Sequence, residues 1–270
     1  MSATGDFIAR HRPGRRQRFA LSPGWGWRLA TLLLAGLVAL PLLVIAGGWL
    51  AVDGGIWRHL ADTVLGELLA NTLVLVLGVG AGVLVLGVGL AWLTVMCEFP
   101  GRRLFDWALM MPLAVPAYVL AFIAVGLLDF SGPLQSGLRS LLGPGHWLPP
   151  IRSPGGVVAV MVLVLYPYVY MLARAAFIGQ GRNTLEAARV LGLGPWAAFF
   201  RVAIPMARPA IVAGLSLALM ETLADFGAVA VFNYDTFTTA IYKTWFGFFN
   251  LQAAAQLASL LLLAVALALL

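Results

Sequence analysis

Two carboxylates, Glu221 and Asp225, sit inside an otherwise apolar run and are the residues best placed to do chemistry. They are four apart, so a helix would carry both on one face. Ionisable groups at membrane depth are costly and usually face a cavity or a partner. One reading makes the pair a carboxylate-lined stretch of a translocation path, suited to a cation. The other makes them packing groups, protonated or bonded to neighbouring helices. Residue type and spacing leave both open. Little else could act. His11, His59 and His146 lie far apart without metal-ligand spacing, and the single cysteine, Cys97, excludes an internal disulfide and a cysteine-based metal cluster. The glycines at 78, 80, 82, 87 and 89 lack the lysine of a phosphate-binding loop. No catalytic residue, metal site or bound cofactor is expected, and the chain has no means of hydrolysing ATP itself.

The elements that must position these carboxylates are membrane helices. Of 270 residues 61% are hydrophobic and 10% charged, far below the roughly 25% charge of soluble domains. Apolar runs of about 20 residues indicate helices rather than barrel strands. Residues 1–27 form a basic tail, and residues 28–270 form a transmembrane domain of about six spans. These are expected near 28–52, 68–95, 108–129, 155–177, 210–232 and from 251 onward. Pro41 kinks the first and Pro112 and Pro116 break the third. The Gly78–Gly82 pair suits close helix packing in lipid. Asn71 and Thr222 are read as interhelical hydrogen-bonding groups, and residues 134–142 as a short interfacial piece.

Charge fixes the expected orientation. The net charge of +6 comes from 17 Lys and Arg against 11 acids. Arg10, Arg12, Arg15, Arg16, Arg18, Arg28, Arg102, Arg103, Arg174, Arg182, Arg189, Arg201 and Arg208 fall on the side of the tail and of the loops after spans two and four. Only Arg58, Arg139, Arg152 and Lys243 fall opposite. Basic loops stay cytoplasmic, so the tail belongs to the cytoplasm and lies against anionic lipid rather than nucleic acid.

The longest charged, amphipathic stretch in the second half is Thr184 to Pro209, TLEAARVLGLGPWAAFFRVAIPMARP. Glu186, Ala187 and Ala188 read as a short helix with a small-residue face, capped at Asn183 or Thr184 and stopped where Gly192 takes a positive φ. Pro195 opens a second short helix carrying Trp196, Phe199, Phe200 and Arg201, which Pro205 is expected to stop.

This stretch resembles the EAA loop of ABC-importer permeases, whose pattern is Glu-Ala-Ala, three residues, Gly, nine residues, Ile, one residue, Leu-Pro. Here it stands as Glu186-Ala187-Ala188, Gly192, Val202 and Ile204-Pro205, with every spacing kept. The ETLADFG run at 221–227 and residues 235–245 look like the ferric-iron branch, whose architecture is shared by permeases for thiamine, sulfate and polyamines. The resemblance implies an all-α polytopic permease of the type I importer kind, multi-pass in the bacterial inner membrane, with its EAA coupling loop at about 178–208. It implies a cytoplasmic ATPase dimer that holds ATP and Mg, a periplasmic binding protein that delivers ferric iron, and a second permease half, fused or a second copy. Carried over, Glu186, Ala187, Ala188, Gly192 and Pro205 would couple to the ATPase, while Glu221 and Asp225 would line the path. The apolar ending suggests a fragment or the first half of a longer permease. A secondary transporter has no reason to hold the EAA spacing.

Overall fold

In the computed structural model, residues 25–50, 54–145 and 147–269 are described, and all their regular elements are helical. The basic tail, His11 and His146 lie outside these residues. The chain divides into two compact units, Met1–Val44 and Ile45–Leu270. The described part of the first is the body of α1 (Trp25–Gly47), an apolar helix containing Pro41.

The second unit holds the rest. The amphipathic α2 (Gly54–Thr63) precedes the long span α3 (Leu65–Met96). The third span is built in pieces: α4 (Arg102–Ala108), a 3-10 turn at Met111–Ala114 and α5 (Ala117–Leu128). Pro112 opens the 3-10 turn and Pro116 precedes α5, so the expected break stands where prolines remove backbone donors. The interfacial piece is α6 (Pro133–Leu142), and α7 (Pro154–Val190) carries the fourth span and runs beyond it. Five helical stretches are long and apolar enough to cross a membrane among the described residues; the expected sixth, in α12 (Leu251–Leu269), is apolar but shorter.

Helix α7 is the central shaft, with Val157, Met161, Leu165, Val169, Tyr170, Ala173 and Phe177 buried. A Cβ on Gly87 of α3 would stand 2.6 Å from the Val169 Cβ, and one on Gly82 would stand 2.3 Å from a Val162 methyl. From the other side comes α9 (Ile204–Ala224), where a Cβ on Gly214 would stand 2.8 Å from the Val169 Cα. Without side chains at these points the three backbones close on one another, which is how helices associate where lipid offers no hydrophobic drive.

The fifth span differs from the sequence expectation at both ends. It begins before residue 210, because α8 (Pro195–Ala198), a π turn at Phe199–Ala203 and α9 follow one another without interruption. It also breaks before 232. Asp225 has extended backbone (φ −66°, ψ 130°), and a short α10 (Gly227–Val231) resumes after it. A hairpin-like stretch then forms α11 (Phe237–Tyr242) and a second π turn at Lys243–Gly247 before α12.

Candidate functional site

The segment between α7 and α9 is shaped by two glycines. Gly181 takes φ 69° and ψ 159° and breaks α7, so the stretch up to Val190 forms a helix of its own. Gly192 takes φ 84°. The Leu193 amide donates to the Ala188 carbonyl at 3.0 Å, the six-to-one bond that closes a helix when the residue between is left-handed. Gly194 has extended backbone, and Pro195 enters α8 at its first turn, where its missing N–H costs nothing. The side chains of Asn183 and Thr184, the expected caps, lie outside the described ones.

Glu186 and Ala187 are exposed, but Ala188 is only 5% exposed and belongs to the buried core. The two alanines therefore part company: Ala188 packs into the core of its own chain, and Ala187 stays exposed. The apolar tip beside them is open, with Val190 and Leu191 at 87% and 83% exposure.

Pro205 does not stop a helix. It sits in the first turn of α9, immediately after the π turn. A proline clashes with the carbonyl four residues back. Widening the preceding turn, with Ile204 N–H donating to the Phe199 carbonyl five residues back, makes room for it. The second helix of the loop and the fifth span are thus one rod. Its foot is fastened by aromatic packing: Phe199 lies 4.6 Å from Trp92 of α3, and Trp92 lies 5.5 Å from Phe177 of α7. Gln180 adds a hydrogen bond of 3.0 Å to the Ala203 carbonyl. Nearby, Asp106 and Arg174 form an ion pair at 3.1 Å, and the Tyr170 hydroxyl donates to the Asp106 carbonyl.

The two carboxylates of the fifth span are not equivalent. Asp225 lies beyond the end of α9, so the two do not share one continuous helical face. Its Oδ2 accepts the Ala228 and Val229 amides at 2.9 and 3.1 Å, satisfying the first donors of α10. Its carbonyl accepts the Thr238 hydroxyl at 2.7 Å, tying the break to α11. Glu221 is exposed and makes no hydrogen bond or ion pair among the described residues. Thr222, read as an interhelical donor, instead bonds the Ala218 carbonyl of its own helix, the alternative open to a buried helical threonine.

Beyond the break, Asn71 of α3 donates to the Asp235 carbonyl, and Tyr234 donates its hydroxyl to the Asn71 carbonyl at 3.1 Å. Burial pushes the Tyr234 phenol up, which keeps it a donor. Asn71, read as an interhelical hydrogen-bonding group, is instead bonded to the non-helical stretch between α10 and α11. Lys243 pairs with Asp235 beside a cavity of about 210 Å³ lined by Phe226, Ala230, Tyr242 and Lys243 among others. Phe226 and Tyr242 pack at 4.8 Å between ring centres with planes tilted by 40°, and Phe246 packs on Tyr242 in the same way. No group of three or more His, Cys, Asp and Glu among the described residues is arranged to hold a metal ion.

Residues 83–270 match the family model of the binding-protein-dependent transport system inner membrane component. The chain belongs to that family. The permease is 29% identical over 240 residues to an Fe(3+)-transport system permease of Haemophilus influenzae, covering 87% of this chain and 43% of that protein. It is 30% identical to a probable molybdenum ABC transporter permease of Haloferax volcanii, covering 94% and 93%. A probable sulfate permease of Chlorokybus atmophyticus is 27% identical, covering 78% and 72%. The permease therefore spans less than half the length of the ferric-iron relative and nearly all of the molybdenum one. The fold is that of a bacterial alginate ABC transporter crystallised with its pentasaccharide-bound periplasmic protein, at TM-score 0.68 and 15% identity over 90% of this chain and 91% of that one.

This is accordingly a multi-pass inner-membrane ABC permease, a transport component rather than a catalytic subunit. Gln180, Gly181 and Thr238 were not singled out from sequence. Asp225-Phe-Gly could have been read as a helix cap, since an Asp ahead of a short apolar run is a start signal. Gln180 carries no local signal.

Proposed function

We propose that the permease forms the translocation path of an ATP-driven importer. Its 182–204 loop would dock on a cytoplasmic ATPase dimer that binds ATP and Mg, and its opposite end would receive solute from a periplasmic binding protein. The N-terminal tail then lies in the cytoplasm, a placement that the distribution of arginines supports. A second permease half, fused or a second copy, completes the path. The observation that carries the reading is the loop tip. A rigid glycine-closed turn holds Val190 and Leu191 almost fully exposed beside Glu186 and Ala187, and apolar side chains held in water want a partner surface. Since Pro205 continues the second arm into α9, closure of the ATPase dimer would pull directly on the fifth span.

The proposed cargo is ferric iron. Glu221, uncommitted and exposed on that span, favours a cation over an oxyanion, and a ferric-iron permease is among the relatives. An oxyanion is the second reading, favoured by the near full-length likeness to a molybdenum permease. Asp225 is assigned to shaping the path by holding its break, and Glu221 to lining it.

The test is uptake into membrane vesicles carrying the permease, its ATPase and its binding protein, with labelled ferric iron, molybdate and sulfate offered in turn. ATP-dependent accumulation of iron, reduced by Glu221→Gln, supports the reading. Accumulation of an oxyanion keeps the importer and moves the cargo. Uptake driven by an ion gradient without ATP would overturn the importer itself.

A further inference from the structure

The 182–204 loop meets the membrane helices through two arms of unequal stiffness. The first joins α7 at Gly181, whose φ of 69° and ψ of 159° lie in a region essentially reserved for glycine. Nothing stands within 4 Å of where its side chain would be. A joint of this kind bends without disturbing any packing. The second arm runs unbroken from α8 through the π turn into α9. Left to themselves, the two arms would let a pull on the loop dissipate at the joint.

Among the described side chains, a hydrogen bond crosses between them. Gln180, immediately before the joint, donates its amide to the carbonyl of Ala203, a residue with no exposed surface at the end of the π turn. The carbonyl belongs to the head of the rod that carries Glu221 and ends at Ala224, just before Asp225. The aromatic packing of Trp92, Phe177 and Phe199 holds the same point laterally but gives no direction along the helix axis. A hydrogen bond does, because it weakens steeply with misalignment.

We propose that Gln180 is a positioning residue, the fulcrum that makes displacement of the loop turn α9 instead of bending Gly181. The proposal rests on the reading of the loop as the ATPase contact and goes beyond it by naming where force enters the fifth span.

The deciding quantity is solute moved per ATP hydrolysed, measured in vesicles with the assembled transporter. Labelled ferric iron is the probe, or labelled molybdate if the parent accumulates that instead. Gln180→Leu, close in size and without a donor, is expected to keep ATP hydrolysis while moving about five-fold less solute per ATP, the scale on which one hydrogen bond couples two sites. Gln180→Lys restores an N–H donor and is expected to restore the ratio. A purely structural role would lower assembly and hydrolysis together and leave the ratio unchanged. Should Gln180→Leu not assemble, Gln180→Glu, which offers a carboxylate to the carbonyl, is read in its place. A parent-like ratio in the leucine or glutamate variant overturns the proposal, and so does a lysine variant as uncoupled as leucine. A parent with no ATP-dependent uptake would instead sink the underlying importer reading, so the two failures are distinct.

Discussion

Before Gly181, α7 buries Val157, Met161, Leu165, Val169 and Phe177 between α3 and α9; after it, a separate short helix ends at Val190, which with the following Leu191 is almost wholly exposed. Val190 and Leu191 are of the same types as the buried residues, so their own hydrophobicity does not separate them. What separates them is approach. Along the shaft, glycines on both neighbours allow close approach, and an atom added at Gly82, Gly87 or Gly214 collides. At the tip, the turn at Gly192 is stretched into open space, where nothing lies within 4 Å of its Cα substituent position. One half is held still by close packing, and the other stands open.

The strongest break of that contrast is Gly214→Leu. With the Val169 Cα and the Tyr168 carbonyl in the way at 2.8 and 3.0 Å, overpacking is expected to cost about 3 kcal/mol. A thermal unfolding scan in detergent reads it; an unshifted midpoint would mean that α7 and α9 are not in backbone contact. Next comes Gly192→Val. A β-branched residue at φ 84° costs about 1–2 kcal/mol locally, so transport should fall steeply while the amount of permease in the membrane holds. Normal uptake would show that the turn does not set the docking geometry.

Smaller effects separate the two carboxylates. Asp225→Asn keeps a capping oxygen but loses charge, and Asp225→Ala loses the cap, with an expected cost of about 1 kcal/mol visible in the same unfolding scan. Glu221→Gln should leave the scan unmoved and lower only cation uptake. If instead Glu221→Gln destabilises and Asp225→Ala does not, the assignment of the two is reversed. The smallest effect on the fold is expected from the double change Val190→Ser and Leu191→Ser, within about 0.5 kcal/mol as for other exposed positions. Loss of ATPase co-purification, at unchanged stability, is the matching readout; retained co-purification would place the contact elsewhere.

Much of this arrangement is legible in the residues. The spacing from Glu186 to Gly192 and on to Pro205 locates the loop, Gly192 announces its turn, and paired prolines at 112 and 116 announce the broken third span. The misreadings share a cause. A proline that ends a helix and one that begins the next look the same in a string, and only the π turn at Phe199–Ala203 distinguishes them for Pro205. Glu221 and Asp225, four apart, share a face only while the helix lasts, and the amides of Ala228 and Val229 reward Asp225 for ending it. Gln180 lay beyond reach because its partner is 23 residues away, across a turn whose geometry had to be known first.

The break at Asp225 also has an electrostatic sequel. Because α9 ends at Ala224, Glu221 falls in a helix's last turn. There the aligned peptide dipoles already present roughly half a negative elementary charge, and an added carboxylate is disfavoured by about 0.3–1 kcal/mol. No basic residue in that turn relieves it. The sequence has thus placed its uncommitted negative charge where the helix itself resists one. The two fields add into a local well of negative potential at the C-terminal end of α9.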